Sequence, residues 1–168
     1  GEMQALPELI RAFDSVRGAH LVMLGTGSQR EVVEAMVAQR PFAHLIPPVD
    51  AATVTEFQAA ADALVVSLRD TPLLRVTMPS KMQSSLAAGR PILVQGGGDV
   101  AAVVRRAGCG EVGRPGTNDV SAAAQRLVDI GEASRAALGA SARRFFLDNY
   151  SPQAGGDRLE DLLRSSME

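Results

Sequence analysis

Short apolar runs alternate along the chain with segments in which apolar residues recur at helical spacing. The candidate strands are HLVML (His20 to Leu24), HLI (His44 to Ile46), ALVVSL (Ala63 to Leu68) and PILV (Pro91 to Val94). Each run ends at a turn rich in glycine or proline. Strands that are apolar on both faces are typical of burial between two layers of helices. The pattern predicts an α/β fold with a Rossmann-like, mostly parallel sheet and helices on both faces.

Apolar residues recur at helical spacing in four places, and the helical pattern then continues to the end of the chain. The four sets are Leu6, Leu9, Ile10 and Phe13; Val32, Val33, Met36 and Val37; Met82, Leu86 and Ala87; and Val100, Val103 and Val104. Ser28 with Glu31 and Thr53 with Glu56 each match a capping box, and they predict two helix starts. After a short run at Glu111 to Gly113, the pattern predicts a helical carboxy-terminal end over residues 120–130, 132–149 and from Ser151-Pro152 onward. A doubly wound sheet normally begins with a strand, so we expect the first strand to lie upstream of Gly1.

Composition excludes several classes of protein. The chain has 168 residues, enough for one domain that buries about 69% of its unfolded surface. Its single cysteine, Cys109, cannot form an internal disulfide, and we expect a reducing, cytoplasmic location. A net charge of -2 with one Tyr and five Phe disfavours nucleic-acid binding. No apolar run approaches the roughly 20 residues that span a bilayer.

The usual cofactor and metal motifs are absent from the sequence. GTGSQR (Gly25 to Arg30) lacks the third glycine of a dinucleotide fingerprint, and the chain has no P-loop. His20 and His44 have no metal-ligand spacing and are interpreted as structural residues of strands, so we expect no metal and no cofactor. Cys109 lies in a Gly-Cys-Gly turn without a nearby histidine, which disfavours a nucleophilic role.

The segment Arg69 to Val94 has the features of an anion site. Pro79 and Ser80 mark a helix start after a buried strand, with Lys81 in the first turn and Arg75 just before it. Free amides at a helix amino terminus and nearby cations favour phosphate. The alternative is that Arg75 and Lys81 are solvated surface charges. Lys81 is the only lysine among 17 basic residues, which favours the anion site.

The region Ile46 to Gly110, with its P-S-K and A-A-G-R-P motifs, resembles the carboxy-terminal, donor-binding domain of GT-B glycosyltransferases of the family-4 retaining type. It is most similar to the branch that transfers amino or deoxy sugars in cell-surface polysaccharide assembly. The resemblance covers essentially residues 1–168 as a single donor-nucleotide-binding domain. It implies an amino-terminal acceptor domain that is absent from this chain, so that the chain alone is expected to be inactive.

The resemblance also implies roles for individual residues. Arg75 and Lys81 would neutralise the departing nucleoside diphosphate and are the candidate catalytic residues. The remaining candidate donor-binding residues are Gly27, Pro48, Val49, Thr77, Met78, Ser80, Ser84 and Asp99. Among them, Pro48 and Val49 match the loop that lies against the nucleobase, and Asp99 is alternatively a plain helix cap.

Three positions depart from the family pattern. Ser84 stands where the family has a glutamate that binds the ribose hydroxyls, and Val76 stands at the paired upstream glutamate. Gln4 occupies the place of a phosphate-binding lysine in many relatives. A serine hydroxyl makes neutral hydrogen bonds where a carboxylate makes charge-assisted ones, so these departures predict weaker donor binding.

The expected function is transfer of a sugar, with retention, from a UDP-linked donor to a polysaccharide or lipid-linked acceptor. The expected partners are the nucleotide sugar and the chain's own acceptor domain, with peripheral association at the inner face of the membrane through the acceptor. Two alternatives remain: a catalytically impaired GT-B-like partner or scaffold module, favoured by Ser84, and a GT-B sugar-nucleotide epimerase. The epimerase is disfavoured because no carboxylate or histidine marks the donor segment as an acid/base pair.

Overall fold

The computed structural model describes residues 2–116 and 118–165, and these form parallel strands connected by helices. The predicted domain bounds, residues 1 and 168, lie outside the described residues. The strands are β1 (Leu21–Leu24), β2 (Ala43–Ile46), β3 (Leu64–Ser67), β4 (Ile92–Gln95) and β5 (Gly110–Gly113). All the predicted strand positions are confirmed to within a few residues.

The strands pair in parallel, but in two groups. β1 pairs with β2, with Leu21 opposite Ala43, and β4 lies between β3 and β5, with Ile92 opposite both Leu64 and Gly110. The expected single sheet is therefore divided between β1 and β3. β4 is flanked on both sides and is buried at all of its positions.

Helices connect the strands and continue as far as Ser165, as predicted up to that residue. They are α1 (Leu6–Ala12), α2 (Arg30–Val37), α3 (Ala51–Ala60), α4 (Pro72–Arg75), α5 (Ser80–Ala88), α6 (Gly98–Ala107), α7 (Asp119–Asp129), α8 (Gly131–Asn149) and α9 (Pro152–Ser165). The single turn α4 was not predicted, because one turn is too short to show a period. Among the described helices, none is both long enough and apolar enough to cross a membrane.

The two predicted capping boxes are wrong. α2 begins at Arg30 after Gln29, without a side-chain cap, so Ser28 lies outside the helix. α3 begins earlier than predicted, since the Asp50 carboxylate accepts from the Thr53 amide over 2.7 Å. That bond lowers the pKa of Asp50. Asp is as good an N-cap as Ser or Thr, and here the earlier residue holds the position.

Helices cover both faces of the three-stranded sheet that contains β4, as the sequence predicts. Successive residues of β4 enter different core clusters, because side chains alternate across a strand. Ile92 and Val94 pack with residues of α5, α6 and α8. Leu93 packs with residues of α1, α2 and α7. The fold is therefore a three-layer α/β arrangement with a separate core on each face.

A close backbone contact holds α4 against the start of α6. A Cβ atom on Gly98 would lie 1.8 Å from the Arg75 carbonyl oxygen, and the φ of Gly98 is +63°. Only glycine meets both requirements, since a side chain at positive φ is strained and this one would also overlap backbone. The glycine turn after β4 thus sets the position of the loop after β3.

We predict that Gly98→Ala destabilises the protein far more than Gly108→Ala. Gly108 has a similar φ of +56°, but nothing lies within 4 Å of a Cβ built there. Left-handed backbone costs about 1 to 2 kcal/mol at either position. The overlap at Gly98 adds about 1 to 3 kcal/mol, as overpacking does. Urea unfolding of both variants measures the difference, and equal losses would contradict the contact.

Cys109 is expected to be unreactive in the folded protein. Its side chain is fully buried, and burial raises the pKa of the thiol to about 11. Relative to an ordinary cysteine, the thiolate is roughly a hundredfold scarcer at neutral pH. Reaction with a colourimetric disulfide reagent should be at least about a hundredfold slower in native protein than in guanidinium. Equal rates would show that the thiol is accessible.

Candidate functional site

The predicted site residues converge on one edge of the fold. In parallel strands all carboxyl ends lie at the same edge, and ligands of doubly wound folds bind there. Gly27 and Pro48 lie in the turns after β1 and β2. Lys81 lies in the first turn of α5, which follows β3, and Asp99 lies in the first turn of α6, which follows β4. The candidate residues thus lie at the edge where a ligand is expected to bind.

A cleft of about 140 Å³ opens at this edge between the turn after β1 and the start of α5. Gly25, Thr26 and Gly27 line one side of it, and Lys81 lines it as well. Gln4 also contributes to its wall. The structure therefore brings together Gly27 and Lys81, which are 54 positions apart in the sequence.

The start of α5 carries free hydrogen-bond donors. The Met82 amide donates to the Pro79 carbonyl over 2.9 Å, whereas the amides before it lie ahead of any intrahelical acceptor and the N-cap residue, Pro79, provides no side-chain acceptor. Lys81 is exposed in this first turn. The amides, the positive end of the helix dipole and the ammonium group together favour an anion in the cleft.

Arg75 has a different environment from the one predicted. Its guanidinium donates to both carboxylate oxygens of Asp70, over 2.6 Å and 2.9 Å. This bond lowers the pKa of Asp70. Arg75 does not line the cleft that contains Lys81. Its role in neutralising a diphosphate stays a prediction, and it would require the guanidinium to bind phosphate beside or in place of Asp70.

Two cleft residues were missed by the sequence reasoning. Arg30 lines the cleft, pairs with Glu34 over 2.6 Å, and reaches the Gly25 carbonyl over 3.5 Å. The Gln29 side-chain oxygen is buried at the cleft and has no hydrogen-bond partner among the described residues. A buried acceptor without a donor is costly, so this oxygen can accept a bond from a ligand. The sequence did contain a signal for Gln29 and Arg30, because both follow closely after the glycine turn at Gly25 to Gly27.

The other candidate residues do not line the cleft. Pro48 and Val49 are exposed after β2, and the Thr77 hydroxyl donates to the Leu73 carbonyl over 2.7 Å. The Met78 side chain is partly buried and packs against the core. Ser80, Ser84 and Asp99 are exposed.

The alternative reading of Asp99 as a helix cap is wrong. α6 begins at Gly98, its N-cap is Gly97, and no side chain makes a capping bond. Asp99 lies in the first turn of the helix, where a carboxylate interacts favourably with the helix dipole. A role in donor binding stays a prediction.

The histidines lie away from this edge and bond to each other. The His20 Nδ1 and His44 Nε2 atoms are 2.9 Å apart, and both side chains are exposed. His20 precedes β1 rather than belonging to it. No group of three or more candidate metal ligands occurs among the residues described. A cavity of about 390 Å³ lies near the other ends of the strands, around Gly89 and Pro91, where the predicted site residues do not reach.

No family model matches the chain, and no curated protein matches it. Solved structures do match. Sucrose-phosphate synthase from Thermosynechococcus elongatus superposes with a TM-score of 0.80 at 18% identity, over 99% of this chain and 43% of that one. WaaG, a glycosyltransferase involved in lipopolysaccharide biosynthesis, gives a TM-score of 0.67 at 19% identity, over 88% of this chain and 40% of that one.

A third similar structure was solved with a nucleotide sugar. Anabaena Alr3699/HepE in complex with UDP-glucose gives a TM-score of 0.75 at 13% identity, over 98% of this chain and 46% of that one. The chain thus spans less than half the length of each of these proteins. The similarity establishes the fold: the chain has the architecture of one Rossmann-like half of a GT-B glycosyltransferase.

Proposed function

We propose that the chain is the donor-binding half of a retaining GT-B glycosyltransferase of the family-4 type, in its amino- or deoxy-sugar branch. It binds a UDP-linked sugar, and an acceptor domain outside this chain completes the enzyme in the cytoplasm. The acceptor is a cell-surface polysaccharide or its lipid-linked precursor, which brings the enzyme to the inner face of the membrane. Support for the nucleotide comes from Alr3699/HepE, whose structures contain UDP and UDP-glucose.

One observation carries the proposal: Lys81, in the uncapped first turn of α5, shares a cleft with the glycine turn after β1 and with Arg30. Cleavage of a glycosyl-phosphate bond places negative charge on the leaving diphosphate. Fixed cations and amides stabilise that charge more than they stabilise the intact donor. In this arrangement the side chains and the helix terminus supply the positive charge, so we expect the site to operate without a metal.

Lys81→Ala should weaken UDP binding about tenfold, because a charge-assisted hydrogen bond contributes about 1.5 to 3 kcal/mol before solvent screening. Isothermal titration of UDP into the 168-residue chain measures the effect. Arg144→Ala is the matched control, since it removes one exposed positive charge from α8. If both variants bind UDP like the parent chain, the anion site at α5 is wrong.

Arg30→Ala should weaken UDP binding more than Arg75→Ala. Arg30 lines the cleft, whereas the Arg75 guanidinium is held by Asp70. The same titration, repeated at high salt, separates a local contact from general charge attraction, because salt screens the latter. A larger loss with Arg75→Ala would restore the pair of Arg75 and Lys81 as the phosphate clamp.

Ser84 favours a second candidate, a GT-B-like module with impaired turnover that acts as a partner subunit. Its hydroxyl donates to the Lys81 carbonyl over 3.0 Å and is exposed on α5. A hydroxyl engaged with its own helix offers little to a ribose. The ribose contact expected of the family's glutamate is therefore weak or missing in this chain.

Ser84→Glu should raise the affinity for UDP severalfold if the ribose lies beside α5. The carboxylate would accept bonds from both ribose hydroxyls, which are charge-assisted. Gln83→Glu adds the same charge at the neighbouring exposed position and should lower the affinity. The gain should shrink with 2′-deoxy-UDP, which keeps only one of the two hydroxyls. A gain that 2′-deoxy-UDP retains in full would place the ribose elsewhere.

A further inference from the structure

A second polar group lies at the carboxyl edge of the strands, apart from the cleft that contains Lys81. Asp70 and Arg75 follow β3 and form a charged fork, in which the Arg75 Nε and Nη2 atoms each donate to a different oxygen of Asp70. Neither side chain lines the cleft. The charged fork therefore needs an account separate from that of the cleft.

The charged fork has hydrogen-bonding capacity left over. A guanidinium has five N–H donors and an ionised carboxylate has about four acceptor positions. The fork uses two of each, and neither side chain makes another hydrogen bond among the residues that the structure describes. The Arg75 side chain is 58% exposed and that of Asp70 is 30% exposed. Donors and acceptors of the same fork are thus accessible side by side.

The fork is held in place and left uncovered by the turn after β4. Gly98 fixes the Arg75 backbone, and the two hydrogen bonds to Asp70 fix the plane of the guanidinium. A Cβ atom on Gly97 would lie 3.3 Å from Asp70 Oδ1, so a side chain at this position would crowd the fork. Groups that are already fixed lose less conformational entropy when a ligand binds.

The charge of the fork favours a different ligand group from that of the cleft. The lowered pKa of Asp70 keeps its carboxylate ionised at neutral pH, so the fork carries no net charge. An oxyanion bound to Arg75 would also face the Asp70 carboxylate. A hydroxyl group both donates and accepts, and neighbouring hydroxyls on a sugar ring can therefore use both halves of the fork.

The fork also lies on the segment that leads to the proposed diphosphate site. Arg75 and Lys81 are six positions apart in the stretch that follows β3. The turn after β4 is one strand further along the sheet, and neighbouring strands are about 4.8 Å apart. In a nucleotide sugar the ring is bonded directly to the terminal phosphate, so it must lie beside the diphosphate.

We propose that the charged fork binds the sugar ring of the donor, with Arg75 donating to hydroxyl oxygens and Asp70 accepting from hydroxyl hydrogens. The inference rests on the proposed function, because the cleft must hold the diphosphate for the ring to reach the fork. Arg75 then recognises the sugar and does not neutralise the diphosphate. The substrate class is a neutral sugar with hydroxyl groups on neighbouring carbons.

Comparison of UDP with UDP-sugars tests the assignment by isothermal titration into the 168-residue chain. The probes are UDP, UDP-glucose and UDP-N-acetylglucosamine, and the sugar nucleotide that binds the parent chain more tightly is carried forward. The double variant Asp70→Ala/Arg75→Ala removes the fork without changing the net charge. It should bind that sugar nucleotide about tenfold more weakly, the effect of about two hydrogen bonds, and should bind UDP within about twofold of the parent.

Asp14→Ala/Arg40→Ala is the matched control. It removes a similar two-bond fork, with distances of 2.8 Å and 3.0 Å, from the segments ahead of β1 and β2, and it should change neither affinity. An equal loss for UDP and the UDP-sugar in the Asp70 and Arg75 variant would place the fork at the diphosphate. No loss for either would place the sugar elsewhere. Both results overturn this inference and leave UDP binding intact, whereas absence of saturable UDP binding to the parent chain overturns the proposed function.

Gly97→Ala provides a second, independent variant. The φ of Gly97 is -123°, which any residue adopts, so the added methyl group crowds Asp70 without backbone strain. It should weaken binding of the UDP-sugar severalfold and spare UDP. In the parent chain, UDP-glucuronate should bind more weakly than UDP-glucose, because its carboxylate would face Asp70. Unchanged affinity in Gly97→Ala, or tighter binding of the glucuronate, would contradict a neutral sugar at the fork.

Discussion

The approach of the Arg75 backbone to Gly98 is the contact on which the candidate site depends. It joins the end of α4 to the start of α6 at a distance that only glycine permits. The loop after β3 is thereby held over the carboxyl edge of the strands. α5 follows within a few residues, so the same contact determines where its amino terminus and Lys81 lie. A phosphate site built from a helix terminus requires such a fixed backbone, because its donors cannot adjust as side chains do.

Most of the fold could be predicted from the sequence, because it follows from apolar periodicity. Runs such as ALVVSL and PILV are too apolar for an exposed strand, and the turns after them are marked by glycine and proline. Helix starts were less predictable. Both Asp50 and Thr53 are good N-cap residues, and only the three-dimensional course of the chain decides which of them caps α3. Helix α4 has only four residues, which is too short for a helical repeat of apolar residues to be recognised.

The location of the candidate site could be predicted from the sequence, but some of the residues that form it could not. Lys81 could be identified because a solitary lysine lies at a predicted helix start. The ion pair between Asp70 and Arg75 spans five positions across a helical turn that the sequence did not show, so its effect on Arg75 could not be anticipated. Arg30 and Gln29 line the cleft at the start of α2, which begins at Arg30, one residue later than the predicted cap at Ser28 implied.

The divided sheet and the candidate site are physically connected. Gly27 follows β1, which belongs to the two-stranded sheet, whereas Lys81 follows β3, which belongs to the three-stranded sheet. The cleft therefore spans the break between the sheets.

The proposed site for the diphosphate of a nucleotide sugar is the cleft between Gly27 and Lys81. A titration of UDP into ¹⁵N-labelled protein, followed by amide chemical shifts, tests it. Saturable shifts are expected, largest at Gly25 to Gly27, Arg30 and Lys81. Shifts confined to the larger cavity around Gly89 and Arg90, or no shifts at millimolar UDP, would contradict it.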